Sequence, residues 1–199
     1  RRMPFVVCGT VAAAVLMNYS RLYNDQMLSL LDNLCAPSGI TAMEDGTLLI
    51  TDVYNKVVWQ VKGGASSVYA GGGTVADPYG QPVGGYNDAG LAQSYFKYPW
   101  AVAPFLDGYA VSDAENNAVR LIRTESVQTV NGSTTERLVT TQLGVAFAYP
   151  TGLAADEEGN LYVSDTHNNA VRKISPKGVV ATVAEGLSEP MGLCWHDGA

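Results

Sequence analysis

Short apolar runs alternate with polar turns along most of the chain. In residues 150–174, PTGLAADEEGNLYVSDTHNNAVRKI, the runs 152–155 and 161–164 are split by Gly159-Asn160, and a third run follows Asp165-Thr166-His167-Asn168-Asn169. Runs this short, bounded by Gly, Asn and Asp, predict β-strands joined as an antiparallel meander. The same pattern recurs at PSGITAMEDGTLLITDVYNKVVWQV from Pro37 and at PWAVAPFLDGYAVSDAENNAVRLI from Pro99. Its opening returns once more at PMGLCWHDGA from Pro190. The pattern is that of a repeat protein.

Aligning the copies fixes several equivalent positions. A large apolar residue stands three places before each proline, at Leu34, Phe96, Phe147 and Leu187. An aspartate closes each second run, at Asp52, Asp113 and Asp165. An asparagine follows three residues later, at Asn55, Asn116 and Asn168, and then come Val58, Val119 and Val171. The positions of the prolines imply a unit of roughly 40 residues that takes insertions in its linkers and is too small to fold alone. In the first copy the strands are expected at 39–43, 48–52, 57–61 and 67–69.

Gly159-Asn160-Leu161-Tyr162-Val163-Ser164-Asp165 followed by Asn168-Asn169-Ala170-Val171-Arg172 resembles the NHL repeat throughout. That signature is a proline-glycine opening, a Gly-Asn-Leu-Tyr-Val-Asp strand and an asparagine-rich turn ending in arginine. The resemblance covers about residues 34–199. It implies an all-β propeller of four-stranded antiparallel blades, a fold that serves binding modules and enzymes alike. The blades are expected at about 37–72, 99–132 and 150–186, with a partial fourth at 190–199: an incomplete arc of about three blades plus the start of another. The first copy departs from the signature, with Lys56 for the second asparagine and Trp59 for the arginine.

Composition narrows the function classes. The chain has 199 residues, 47% hydrophobic and 16% charged, with a net charge of −7. No basic cluster offers the grip on phosphates that nucleic-acid binding needs, so nucleic acid is excluded as a partner. Residues 1–17, RRMPFVVCGTVAAAVLM, place two arginines before an apolar run too short to span a bilayer. The alternatives for residues 1–19 are a secretory signal, which would put the protein outside the cell or on its surface, and a buried element of the same domain. Asn18-Tyr19-Ser20 and Asn131-Gly132-Ser133 fit the glycosylation acceptor pattern. In the lead-in 20–36, the spacing of Met27, Leu30, Leu31 and Leu34 predicts one short amphipathic helix. Cys8, Cys35 and Cys194 form no CxxC pair, so neither a disulfide framework nor a zinc site is expected, and buried free thiols are.

Residues identical in every copy solve a problem common to every blade. Asp52, Asp113 and Asp165 are suited to accept hydrogen bonds from the turns they begin, together with Asn55, Asn116 and Asn168. Asn117 and Asn169 suit left-handed turn positions, and Arg120 and Arg172 are placed to pair with an aspartate. Turn scaffolding is therefore preferred to a metal site, and no cofactor is expected. In a meander, the loop between the second and third strands shares a rim with the linker between blades. On that rim the sequence varies: Tyr54, Glu115 and His167 occupy one equivalent position, and Trp100 follows a repeat proline. The linker 71–98 adds Tyr79 and Tyr86, with Tyr95 and Tyr98 open between packing and display. Tyrosine and tryptophan present rigid area with a polar tip, which suits a glycan, peptide or protein ligand.

The rival class is an enzyme. The resemblance extends to zinc lyases and, in related propellers, metal-dependent lactonases working at the channel mouth. A lyase-type site needs several histidines, and the chain has His167 and His196, in different blades and at different repeat positions. The innermost strands are apolar where lactonase ligands would stand. No nucleophile-base motif recurs, so catalysis is the minority reading. The fourth repeat ends at Asp197-Gly198-Ala199, where its second strand is due, so the chain is expected to be part of a longer protein whose remaining blades are partners. A propeller closes only when its last blade packs on its first. Exposed blade faces would forfeit on the order of 10 kcal/mol each, so the isolated chain is expected to self-associate or fold poorly.

Overall fold

The computed structural model describes residues 33–73, 75–90, 93–129, 132–140 and 146–196, with side chains of 125–145 set aside. The apolar segment 1–17, nearly all of the expected helix at 20–34, Cys8, the acceptor asparagines Asn18 and Asn131, and residues 197–199 lie outside the described residues. Among the described residues, no helix is long and apolar enough to cross a membrane.

Three antiparallel four-stranded sheets follow one another. The first is β1 (Pro37–Ala42), β2 (Leu48–Asp52), β3 (Val57–Lys62) and β4 (Ala65–Ala70), in that spatial order. A small hairpin, β5 (Val75–Ala76) and β6 (Pro82–Val83), forms within the linker 71–98. The second sheet is β7 (Pro99–Phe105), β8 (Gly108–Asp113), β9 (Ala118–Thr129) and β10 (Gly132–Thr140). Its outer pair runs on to Thr140, past the boundary near residue 132 set by repeat spacing. The third is β11 (Pro150–Ala155), β12 (Leu161–Asp165), β13 (Ala170–Ile174) and β14 (Val180–Ala184).

The sheets pack face to face, with β1 against β7 and β7 against β11. Alternation along each strand sends successive side chains to opposite faces, and this builds one core per junction. Leu49, Val58, Tyr69 and Ala70 of the first sheet meet Phe96, Val102, Val111 and Ile122. Ala103, Phe105, Ala110 and Leu121 meet Phe147, Leu153, Leu161 and Val163. Phe96 and Phe147, the apolar residues three before a proline, are buried wedges at these two junctions, and burying a ring of this size stabilises by roughly 1.5–3 kcal/mol.

The proline-glycine opening has a steric cause. Each inner strand slips register just after its proline, between Pro37 and Gly39, Pro99 and Ala101, and Pro150 and Leu153. There the corresponding segment of the next repeat comes very close: a Cβ on Gly39 would lie 2.8 Å from Ala101 Cα, and one on Gly152 would lie 2.2 Å from the Met191 carbonyl oxygen. The two described cysteines correct the expectation of burial. Cys35 and Cys194 are free and exposed. Cys35 lies in the lead-in before β1, outside any sheet, and Cys194 faces the central cavity rather than a blade junction.

Candidate functional site

The rim is built by one device used three times. Asp52, Asp113 and Asp165 are fully buried, and each clips the lead-in of its blade to the loop between the second and third strands. Asp52 accepts from the amides of Cys35 (2.9 Å), Ala36 (3.1 Å), Tyr54 (3.1 Å) and Asn55 (3.0 Å). Asp113 accepts from the amides of Lys97 (2.9 Å) and Tyr98 (2.8 Å), and Asp165 from that of Ala148 (2.7 Å). The Asn55, Asn116 and Asn168 side chains each donate to their aspartate at 2.7–2.9 Å. Only the first aspartate takes the amides of its own turn; the others reach back to the lead-in. Burial pushes the Asp113 carboxyl upward, opposed by these donors and by Arg120.

The arginine position closes the clip. Arg120 Nη1 stands 3.1 Å from Asp113 and Arg172 Nε 2.7 Å from Asp165, while in the first blade Trp59 Nε1 donates to Asp52 at 3.4 Å. Lys56, Asn117 and Asn169 take the same left-handed conformation, with φ of 61°, 54° and 54°. The departures at Lys56 and Trp59 thus preserve the turn.

On this clipped frame the variable residues meet aromatic neighbours. Trp100 stacks on Tyr98 (centroids 5.6 Å apart), Tyr98 leans on Tyr149 (6.1 Å), and Tyr149 stacks on His167 (4.6 Å). The result is a ladder of four rings crossing the junction between the second and third blades. Lys56 Nζ lies 5.2 Å from the centre of the Tyr98 ring, and Glu115 is held 3.4 Å from Lys97. Burial, with Tyr98 and the Glu115 carboxylate nearby, pushes the Tyr149 phenol above its ordinary value. Tyr98 belongs to the rim as well as to packing.

The other candidates are placed apart from the ladder. The Tyr54 hydroxyl bonds the Gln81 side chain on the β5–β6 hairpin. Tyr79, at that hairpin's tip, is 88% exposed, its amide held by Asp77 at 2.8 Å. Tyr86 lies over the Arg120 guanidinium, 4.5 Å from its carbon, and so is half engaged in holding the linker. Tyr149 and Gln81 were missed from the sequence. Tyr149 had a signal: it precedes a repeat proline, as Tyr98 does.

Beneath the rim, the inner strands enclose a concave cavity of about 760 Å³, lined by Ile40, Trp100, Val102, Leu153, Met191 and Trp195 among others. Trp100 stands at its rim end and Trp195, stacked on Tyr162 at 5.4 Å, at the opposite end. Among the described residues, none that lines this wall is a histidine, aspartate or glutamate. Among the described residues, no three histidine, cysteine, aspartate or glutamate side chains gather as metal ligands would.

Successive antiparallel blades packed around an apolar axis define a β-propeller arc. Residues 147–174 match the NHL repeat family model. Among solved structures, it resembles a streptogramin B lyase (TM-score 0.51, 15% identity, 80% of this chain and 45% of that one). It also resembles a Bacteroides thetaiotaomicron protein of unknown function (TM-score 0.51, 17% identity, 80% of this chain and 42% of that one). At these identities the likeness is one of fold alone, and the chain spans less than half the length of either. No curated protein matches its sequence.

Proposed function

We propose that this propeller arc is an extracellular or cell-surface binding module that recognises a protein, peptide or glycan on the rim formed by the loops between second and third strands and the inter-blade linkers. The observation that carries this reading is the ladder Trp100–Tyr98–Tyr149–His167. A blade junction needs buried aliphatic groups, and this one has them in Phe147, Leu153 and Val163 below the rim. Four stacked rings at the solvent boundary add rigid, amphipathic area of the kind that dominates recognition surfaces. The exposed Tyr54 and Tyr79, joined through Gln81 and the hairpin, supply a second adaptable patch on the same rim. An extracellular setting is supported by the apolar segment 1–17 behind its two arginines.

The rival reading is a metal-dependent lyase or hydrolase at the channel mouth, which draws on the name of the streptogramin B lyase. The apolar cavity wall favours binding over that chemistry. Metal analysis of the purified protein separates the two: stoichiometric zinc or calcium, lost together with turnover on chelation, would support the enzyme. Screening a glycan and peptide array with the wild type identifies the ligand class, and Trp100→Ala and His167→Ala then test the rim.

A further inference from the structure

The second and third blades carry the same turn, yet their arginines are engaged differently. Arg120 is fully buried, and its guanidinium is saturated. Nε and Nη2 donate to Asp88 Oδ1 at 3.0 and 2.5 Å, Nη2 to the Asn87 carbonyl at 2.9 Å, and Nη1 to the Tyr95 carbonyl at 3.0 Å and Asp113 at 3.1 Å. Tyr86 and Phe96 flank the plane at 4.5 and 5.4 Å. An acidic turn of the linker, Asn87-Asp88, is thereby docked on the blade.

Arg172 stands at the equivalent place with one hydrogen-bond partner among the described residues where Arg120 has four. Its Nε donates to Asp165 at 2.7 Å, and its two terminal nitrogens have no partner among the described residues. The side chain remains 26% exposed. The sequence gives the reason: the linker feeding this blade has no aspartate or glutamate anywhere in 138–155. Asp165 fixes the guanidinium through Nε and leaves Nη1 and Nη2, a pair of donors whose fork matches the two oxygens of a carboxylate.

We propose that Arg172 is a docking point for an acidic turn of a partner polypeptide, whose carboxylate takes the terminal nitrogens Nη1 and Nη2; at Arg120 the linker's Asp88 takes Nε and Nη2 through one oxygen, and at Arg172 the Nε position is already held by Asp165. The chain itself shows the chemistry of the occupant: a peptide segment carrying an aspartate beside carbonyls, seated on this same repeat position. The site is independent of the aromatic ladder.

The test uses the 199-residue chain and a capped peptide copying its own linker, GGYNDAGLAQSYF (residues 84–96), followed by calorimetry. The expected result is saturable, salt-sensitive binding that falls by about tenfold or more with Arg172→Gln or with the peptide's aspartate changed to asparagine. Arg172→Lys, which keeps charge but loses the fork, should fall between. Circular dichroism melting of each variant shows whether the fold is intact, and the asparagine peptide tests the same contact on unaltered protein. No saturable binding, or equal binding of the aspartate and asparagine peptides, would overturn the proposal. Full displacement by free aspartate at equal concentration would overturn the polypeptide occupant in favour of a small carboxylate.

Discussion

Tyr149 and His167 lie ring on ring, with centroids 4.6 Å apart and planes 12° apart. The pair joins the lead-in of the third blade to that blade's own loop. It depends on a backbone that a bulky residue rarely adopts, because Tyr149 has φ of +52°. The preceding blade holds it there: Asn117 Oδ1 accepts from the Tyr149 amide at 2.8 Å, as Asn169 accepts from Glu189 at 3.0 Å. The repeat asparagine therefore works twice, as a left-handed turn residue and as the clasp that sets the next ring.

These two roles are separable by mutation. Asn117→Ala loses both and is expected to cost about 2 kcal/mol, whereas Asn117→Gly keeps the turn and loses about half as much. Urea unfolding measures both. No loss in Asn117→Gly would show that the clasp to Tyr149 contributes nothing, and equal losses in the two variants would show that the left-handed turn contributes nothing.

The aspartate clips differ in what they leave behind. Removing Asp113 strips a fully buried arginine of one of its two carboxylates, so Asp113→Ala is expected to cost about 3–5 kcal/mol. Asp52→Ala leaves amides and the Trp59 indole but no buried cation, and should cost less. The order of the two urea midpoints decides the matter, and a reversed order would contradict it.

The residue before each aspartate carries a hydroxyl whose role differs by blade. Thr51 donates to the Trp100 carbonyl at 2.9 Å and Ser112 to that of Thr151, each reaching across to the next inner strand. Ser164 is buried without a partner, because Thr151 takes the Met191 carbonyl at 3.0 Å. Ser112→Ala is expected to lose about 1–3 kcal/mol, and Ser164→Ala to be neutral or slightly stabilising. Thermal melts of the two proteins give the comparison, and matched losses would overturn it.

The third blade and the segment that follows it present Val179, Val183, Leu187, Met191 and Trp195 to solvent, with Val179 65% exposed. An apolar surface of that kind is expected to drive self-association of the isolated chain at tens of micromolar, with binding of a hydrophobic dye. Sedimentation checks this. A stable cooperative monomer without dye binding would show that these side chains need no cover.

Much of this architecture is written locally. The strands of the first sheet lie within two residues of the positions expected from run length and turn residues, because each run closes on its neighbour through a short turn. Repeat alignment places Asp52, Asp113 and Asp165 at one structural position for the same reason. What the sequence hides are contacts between linkers and distant blades. Arg120 meets Asp88 from 32 residues away, and nothing near either residue announces the other. The rim ladder was half legible: Trp100 and His167 stand out as variable residues, whereas Tyr149 becomes part of the site only when two blades are set side by side. The cysteines were misread because general burial preference was applied to residues in a lead-in and on a cavity wall.

Binding at the rim is decided by titrating the strongest array ligand against the wild type, Trp100→Ala and His167→Ala, with melting curves confirming that all three are folded. Trp100 ends the ladder at the cavity mouth and His167 ends it at the outer loop, so each substitution removes a terminal ring while leaving the buried core of the junction in place. The expected result is a loss of about tenfold or more in affinity for at least one variant, with little change in stability. Unchanged affinity in both folded variants would contradict the assignment of the rim as the binding site.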